Sequence, residues 1–154
     1  MHSPNLRLIC ALFASMAVSQ AQTLPTYTLT NYIGSGTAGY AGDSAAANAT
    51  DTQLNFPMGI VRASNGTLYI ADTFNQRIRS VGTDGVIKTV VGTGTSGYGG
   101  DTGAATAALI ASPYGVTLDT AGNLYFTDTR NMMGRKVSTS GTVTRSEEHT
   151  SELQ

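Results

Sequence analysis

The sequence has little of the chemistry on which most enzymes depend. Its 154 residues include no tryptophan and one cysteine, and residues 22–144 contain no cysteine, histidine or glutamate. A nucleophilic triad needs a positioned base and a His-based zinc site needs imidazoles, so this segment can form neither. We therefore predict no catalytic, cofactor-binding or metal-binding residue here. Without disulfides, the fold must be held by its core and ladder hydrogen bonds.

Charge is sparse and balanced. Residues 22–144 hold seven aspartates and seven arginines or lysines, which gives this segment no net charge. A basic patch for nucleic acid is missing, so no nucleic-acid partner is expected. Glycine, alanine, threonine and serine dominate, which favours turns and strands and predicts an all-β fold.

The long apolar run lies at the N-terminus. Arg7 precedes the mostly apolar segment 8–18, and small residues follow at Ser19 and Ala21. This pattern is typical of a secretory signal peptide over residues 1–21, cut after Ala21, and it is too short for a membrane span. The alternative is a buried N-terminal helix. We expect a secreted or periplasmic protein.

The last ten residues differ from everything before them. Residues 145–154 read RSEEHTSELQ and contain all three glutamates of the chain. They match a translation of a common sequencing-library adapter, so we interpret them as an assembly artefact and expect the gene to continue past Thr144. The alternative is a polar helical tail.

An internal repeat is the most informative feature. Residues 33–43 (IGSGTAGYAGD) align with 91–101 (VGTGTSGYGGD), and residues 66–73 (GTLYIADT) align with 122–129 (GNLYFTDT). Each copy predicts four short strands, in the first copy Met58–Arg62, Thr67–Ala71, Arg77–Gly82 and Val86–Gly92. Four-stranded units repeated at this period are typical of propeller blades. We place blade one at 57–92 and blade two at 113–144, with long loops at 34–56 and 92–112.

The segment 66–81 (GTLYIADTFNQRIRSV) resembles an NHL repeat, and 122–137 resembles it less closely because Gly134 replaces the apolar Ile78. We expect Gly134 to weaken its strand. The resemblance implies a β-propeller of usually six blades, so the chain is interpreted as an N-terminal fragment of about two blades. Two blades alone leave open faces and edges, which predicts poor stability.

Four polar residues recur in both copies just after the second strand. Asp72 and Asn75 match Asp128 and Asn131, and we predict that they cap turns through backbone N–H groups two or three residues on. Recurrence favours a scaffold role, because a catalytic residue is needed once.

The sequence supports weaker predictions for the other polar positions. Asp43 and Asp101 end glycine-rich loops, which favours tight loop geometry over a calcium site. The motifs at 34–36 and 92–94 lack the lysine and helix of a phosphate loop. Four basic residues on the third strands are interpreted as a solvated face, with ligand contact as the alternative: Arg77, Arg79, Arg135 and Lys136.

The sequence therefore favours a non-catalytic binding or scaffold propeller with an unknown protein or carbohydrate ligand. The long loops 34–56 and 92–112 are the expected contact segments, since a rigid frame displays its variable loops at one end. Nothing in the sequence indicates an oligomer. The alternative is an enzyme similar to propeller lyases or lactonases, with its metal-ligating His or Glu residues on other blades.

Overall fold

The computed structural model describes residues 31–146 and is all-β there. It holds two four-stranded antiparallel sheets, each with its strands in sequence order. The strands of blade one are β1 (Pro57–Arg62), β2 (Leu68–Asp72), β3 (Arg77–Val81) and β4 (Ile87–Val91). Those of blade two are β5 (Pro113–Leu118), β6 (Leu124–Asp128), β7 (Met133–Val137) and β8 (Val143–Arg145). Short 3₁₀ turns lie at Thr73–Asn75, Ala105–Ala107 and Thr129–Asn131.

The predicted strands of blade one agree with these bounds to within one residue. The turn between β1 and β2 shows why the sequence marks them clearly. Gly66 has a φ of +90° and donates its N–H to the Ala63 carbonyl, a conformation that glycine adopts without steric cost. Gly134 does not prevent β7 from forming, and it pairs with Thr127 of β6.

The main hydrophobic core lies between the two blades. Ala71, Ile78 and Val91 of blade one pack with Leu124, Phe126, Val137 and Val143 of blade two. Each such side chain contributes about 1.5–3 kcal/mol when fully buried, alanine less. Gly59 of β1 is needed for this approach, since a Cβ there would lie 2.4 Å from the carbonyl oxygen of Tyr114 in β5.

The segments predicted as long loops cover the outer edges of the blades. Ser44 donates to the Ile87 carbonyl at 2.7 Å, and Ile87 donates to Ala45 at 3.0 Å. The same pattern joins Thr102 and Gly103 to Val143 of β8. The expectation of open edges is therefore wrong for part of β4 and β8, where residues 44–45 and 102–103 form backbone hydrogen bonds with Ile87 and Val143.

The predicted signal peptide and the predicted artefact lie at the two ends of the chain. The predicted signal peptide and residues 147–154 lie outside the described residues. Arg145 and Ser146, the first residues of the predicted artefact, are described: Arg145 ends β8, and Ser146 donates to the Gly134 carbonyl at 3.1 Å. Among residues 31–146, no helix is long and apolar enough to span a membrane.

Candidate functional site

A buried ion-pair network lies at one end of blade one. Asp72 and Arg79 are both fully buried, and Arg79 Nη1 lies 3.3 Å from Asp72 Oδ2. Arg79 Nη2 also contacts Asp43 Oδ1 at 2.6 Å. Asp72 Oδ1 accepts hydrogen bonds from the Asn55 backbone N–H at 2.7 Å and from Asn75 Nδ2 at 2.9 Å. The guanidinium therefore lies between two carboxylates that neutralise its buried charge.

Blade two repeats this network. Arg135 lies between Asp101 at 2.5 Å and Asp128 at 3.5 Å, and Arg135 and Asp128 are fully buried. Asp128 Oδ1 accepts the Ala111 N–H at 2.6 Å, and its Oδ2 accepts Asn131 Nδ2 at 2.9 Å. Because the arrangement recurs blade by blade, we assign it to the scaffold.

The predicted capping contacts take a different form. Neither Asp72 nor Asp128 makes a side-chain hydrogen bond that caps the 3₁₀ turn it precedes. Each carboxylate instead reaches a backbone N–H 17 residues earlier, while Asn75 and Asn131 donate to the carbonyls of Gly39 and Gly97. These side chains join the preceding long segment to the blade, a pairing that a local turn motif does not show.

The prediction of a solvated basic face is wrong for Arg79 and Arg135, whose side chains are fully buried. The carboxylates that neutralise them come partly from segments 34–56 and 92–112. The strand pattern alone did not predict that these segments contact the third strands. Arg77 is half-buried over the Tyr40 ring at 3.7 Å, and it donates to the Thr93 carbonyl at 2.6 Å. Lys136 lies 5.6 Å from the Tyr125 ring centroid.

The repeated Gly-Tyr-x-Gly-Asp motif is explained by the same network. Tyr40 donates its hydroxyl to Asp43 at 2.8 Å and Tyr98 donates to Asp101 at 2.6 Å. Partial burial would raise the pKa of Asp43, but hydrogen bonds from Thr89 and Tyr40 and the charge of Arg79 outweigh it and lower this pKa. The pKa of Asp101 is also lowered, since Tyr98 and Arg135 outweigh its burial.

Asp72 behaves differently from Asp43 although both contact Arg79. Burial raises the pKa of Asp72, and the opposing hydrogen bonds from Asn55 and Asn75 and the Arg79 charge do not fully offset it. Desolvation disfavours the charged form, and Asp72 is the more deeply buried of the two carboxylates. The shorter contact of Arg79 is the one with Asp43, at 2.6 Å against 3.3 Å for Asp72.

A feature that sequence reasoning missed lies at the same end of blade one. Phe56 and Phe74 stack with ring centroids 4.7 Å apart and an interplanar angle of 9°, and each is 56% exposed. We call these two residues the aromatic pair. The Phe74 N–H donates to the Asn55 carbonyl at 3.1 Å, which holds the two rings side by side. Two large exposed apolar rings in contact mark a binding surface more often than isolated ones do.

Blade two has no such pair. The repeat register places Ser112 and Arg130 at the positions of Phe56 and Phe74. The backbone is the same, because Phe56 and Ser112 both have a positive φ, of 54° and 51°. A comparison of the two copies position by position could have found this difference in the sequence.

The turn that holds Phe74 also contacts blade two. Thr73 Oγ1 donates to the Pro113 carbonyl at 2.7 Å, and the Ser112 N–H donates to Gln76 Oε1 at 2.6 Å. These bonds anchor the turn on both sides. The backbone of the turn that carries Phe74 is therefore held by contacts with blade two.

The described residues contain no group of three His, Cys, Asp or Glu side chains that could hold a metal ion. Asp43, the residue considered for calcium, already contacts Arg79, Tyr40 and Thr89. The exposed groups at this end of blade one, the aromatic pair, can stack on a ligand and make apolar contacts with it.

No family model matches the chain. A curated relative, Protein SUPPRESSOR OF QUENCHING 1, chloroplastic, of Arabidopsis thaliana, is 31% identical over 99 residues, which cover 62% of this chain and 9% of that protein. This chain thus spans a small part of that relative.

Two solved structures from Bacteroides thetaiotaomicron are similar in fold. One is of a proposed phosphatase, with a TM-score of 0.56 and 23% identity over 70% of this chain and 26% of that one. The other is of an auxiliary nutrient binding protein, with a TM-score of 0.52 and 23% identity over 66% of this chain and 26% of that one. Together with the two four-stranded sheets, they confirm that the chain has an all-β, propeller-type fold of two blades.

Proposed function

We propose that this chain is the propeller part of an extracytoplasmic, non-catalytic binding module whose partner is a protein that contacts Phe56 and Phe74. The extracytoplasmic location is drawn from the predicted signal peptide over residues 1–21. The observation that supports binding is the aromatic pair, which is exposed and is not required by the blade.

The two blades share their buried polar residues but not the aromatic pair. Residues that the blade needs are present twice, as Asp72 with Asp128 and Arg79 with Arg135 show. The aromatic pair is present once, and blade two folds with Ser112 and Arg130 in its place. A pair of exposed apolar rings that the fold does not need costs solubility, so a contact with a partner is its best explanation.

The surrounding residue types favour a protein partner over a carbohydrate. Met132 is 92% exposed and Arg130 is exposed in the corresponding turn of blade two, and Tyr114 is half-exposed near the start of β5. Aromatic residues, methionine and arginine are the types enriched at protein interfaces. A nutrient-binding protein among the structural neighbours fits a binding role. The enzyme alternative would need catalytic groups that residues 22–144 do not supply.

The test uses a variant in which blade one receives the residues of blade two, Phe56→Ser with Phe74→Arg. Blade two already accommodates both residues at the same backbone positions, so the fold should be retained. A phage-displayed random peptide library and a carbohydrate array serve as the probes, and Met58→Leu, an exposed residue outside the pair, serves as the control. Circular dichroism checks the fold of each variant.

We expect peptides with apolar side chains to bind the unmodified chain and the control alike, and to bind the double variant at least about tenfold more weakly. A selection that yields no peptides, or peptides that bind the double variant equally well, would overturn the proposal. Enrichment of sugars alone would replace the protein partner by a carbohydrate.

A further inference from the structure

We propose that the protein partner of the aromatic pair carries an acidic side chain, and that Arg130 of blade two binds it. Arg130 lies in the turn Thr129–Asn131. Its role rests on the proposed function and adds the chemistry of the partner segment to it. That segment has an apolar residue on Phe56 and Phe74 and an aspartate or glutamate about three residues away.

Arg130 occupies in blade two the position that Phe74 holds in blade one. The backbone around the two residues is the same. The Phe74 N–H donates to the Asn55 carbonyl at 3.1 Å, and the Arg130 N–H donates to the Ala111 carbonyl at 3.0 Å. The two side chains therefore start from equivalent places at the same end of the two sheets.

The turns that carry these residues are neighbours. Thr73, which precedes Phe74, donates its hydroxyl to the Pro113 carbonyl of blade two at 2.7 Å. Sheets that pack face to face lie about 10 Å apart, and an extended chain rises about 3.3 Å per residue. A peptide with an apolar residue on Phe74 therefore reaches Arg130 with a side chain about three residues away.

Neighbouring blades do not cover this position of the turn. Blade two follows blade one in the chain, and Phe74 is 56% exposed beside it. Blade one precedes blade two, and Arg130 is exposed beside that neighbour. The position is thus open to solvent with a blade before it and with a blade after it. The exposure follows from the place of the turn and not from the number of blades.

Arg130 has a free guanidinium. Among residues 31–146, no carboxylate forms an ion pair with it. The other arginines at this end bind a carboxylate, a carbonyl or an aromatic ring: Arg77, Arg79, Arg135 and Arg145. A guanidinium presents its donors in a planar fork that matches a carboxylate, so an acidic side chain is the group that Arg130 is suited to bind.

The carboxylates of the described residues do not compete for Arg130. Those at this end are all bound to the buried arginines: Asp43, Asp72, Asp101 and Asp128. Asp84 and Asp119 lie in turns at the opposite end of the sheets, and Asp51 lies in the outer segment 34–56. A partner with a carboxylate close to an apolar residue thus complements both the charge and the rings at this end.

The probes are the peptides that the unmodified chain selects from the phage-displayed library. Their sequences show whether Asp or Glu is enriched about two to four residues from the shared apolar residue. One selected peptide is then synthesised with Glu, Gln or Lys at that position, and fluorescence anisotropy measures its binding. Arg130→Gln removes the charge and Arg130→Glu reverses it. Arg62→Gln, an exposed arginine at the end of β1, is the matched control.

We expect Arg130→Gln to bind the Glu peptide about fivefold more weakly than the unmodified chain at low salt, and the difference should shrink at high salt. Arg62→Gln should bind like the unmodified chain. Arg130→Glu should prefer the Lys peptide to the Glu peptide, an exchange that a merely structural role of Arg130 would not produce. Blade one has a different residue at this exposed position, so both variants should fold, and circular dichroism checks this.

Selected peptides without acidic enrichment, or equal binding to Arg130→Gln, would overturn the role of Arg130 and leave the aromatic pair as the binding surface. An equal loss in Arg62→Gln would also overturn it, because the effect would then come from the overall charge. A library that yields no binding peptide would overturn the proposed function and the role of Arg130 together.

Discussion

Arg79 of β3 contacts the carboxylate of Asp43, 36 residues earlier in the chain, at 2.6 Å. Arg135 and Asp101 form the same contact in blade two at 2.5 Å. Each pair joins the segment that covers the outer edge of a blade to the third strand of that blade. The ion pair thus holds the edge cover in place, and the stability of the blade should depend on it.

Replacing Arg79 with methionine tests how much this contact contributes to the free energy of unfolding. The substitution keeps most of the side-chain volume but leaves Asp72 buried without a counter-charge, a change that typically costs about 3–5 kcal/mol. Urea unfolding followed by circular dichroism should show this loss or a chain that no longer folds. Arg77→Met, in a half-exposed position of the same strand, should cost less. Equal losses for the two variants would argue against a special role for Arg79.

The pH dependence of stability should follow Asp43 and Asp101. Their pKa values are lowered in the folded chain, so the stability they add is present above the unfolded pKa of about 4 and is lost as the pH falls through the folded values. The variant Asp43→Asn with Asp101→Asn should be less stable at pH 7 by about 1 kcal/mol for each lost pair, because solvent partly screens both carboxylates. This difference should shrink below about pH 4.

The pKa of Asp72 is shifted in the opposite direction, so its effect on the pH dependence of stability must be considered as well. Its pKa is raised, so its contribution is largest at low pH and is lost as the pH rises through the folded value. Both proteins contain Asp72, so most of its effect should cancel between them. Urea midpoints measured from pH 3 to pH 7 give the difference, and a constant difference would refute the assignment.

Tyr98 should titrate at a higher pH than an ordinary tyrosine. Its hydrogen bond to Asp101, its slight desolvation and the charge of Asp101 raise the pKa of its hydroxyl. NMR of ¹³C-labelled tyrosine follows each ring separately, and Tyr98→Phe assigns the signal. In Asp101→Asn the pKa of Tyr98 should return toward about 10. An unchanged titration in that variant would show that Asp101 is not the cause.

Gly59 and Gly115 provide a matched pair for the contact between blades. Alanine at position 59 would place its Cβ 2.4 Å from the Tyr114 carbonyl, so the blades must move apart, at a typical cost of about 1–3 kcal/mol. Alanine at Gly115 meets Thr127 at an ordinary distance. In dilute solution Gly115→Ala should therefore leave the urea midpoint nearly unchanged. Similar losses at both positions would contradict the interface described above.

The unmodified chain should be only marginally stable when it is dilute, so its unfolding transition should fall at a low temperature. Two blades leave the flanks around Ile60 and Gly134 uncovered, and a closed ring would bury such faces against neighbouring sheets. Calorimetry on a sample shown to be monomeric is the measurement. A cooperative melt of that monomer at high temperature would show that two blades are sufficient.

The sequence determined the repeat, the strand positions and the fold class, because these depend on local patterns: alternation along Thr67–Ala71, glycine in the turn at Gly66, and the recurrence of the whole unit. Recurrence also predicted a scaffold role for Asp72, Asn75, Asp128 and Asn131, although not the contacts that they make.

The partners of these residues depended on the tertiary structure. The pattern of its own strand predicts that Arg79 is exposed. Arg79 is buried because its ion-pair partner Asp43 belongs to a segment without regular alternation. The segments 34–56 and 92–112 look like free loops, yet they pair with strands that come more than 30 residues later. Phe56 and Phe74 lie 18 positions apart, and folding alone brings them together. Local patterns record the conformation of each segment, while long-range contacts depend on which segments meet, and that is decided when the whole core packs.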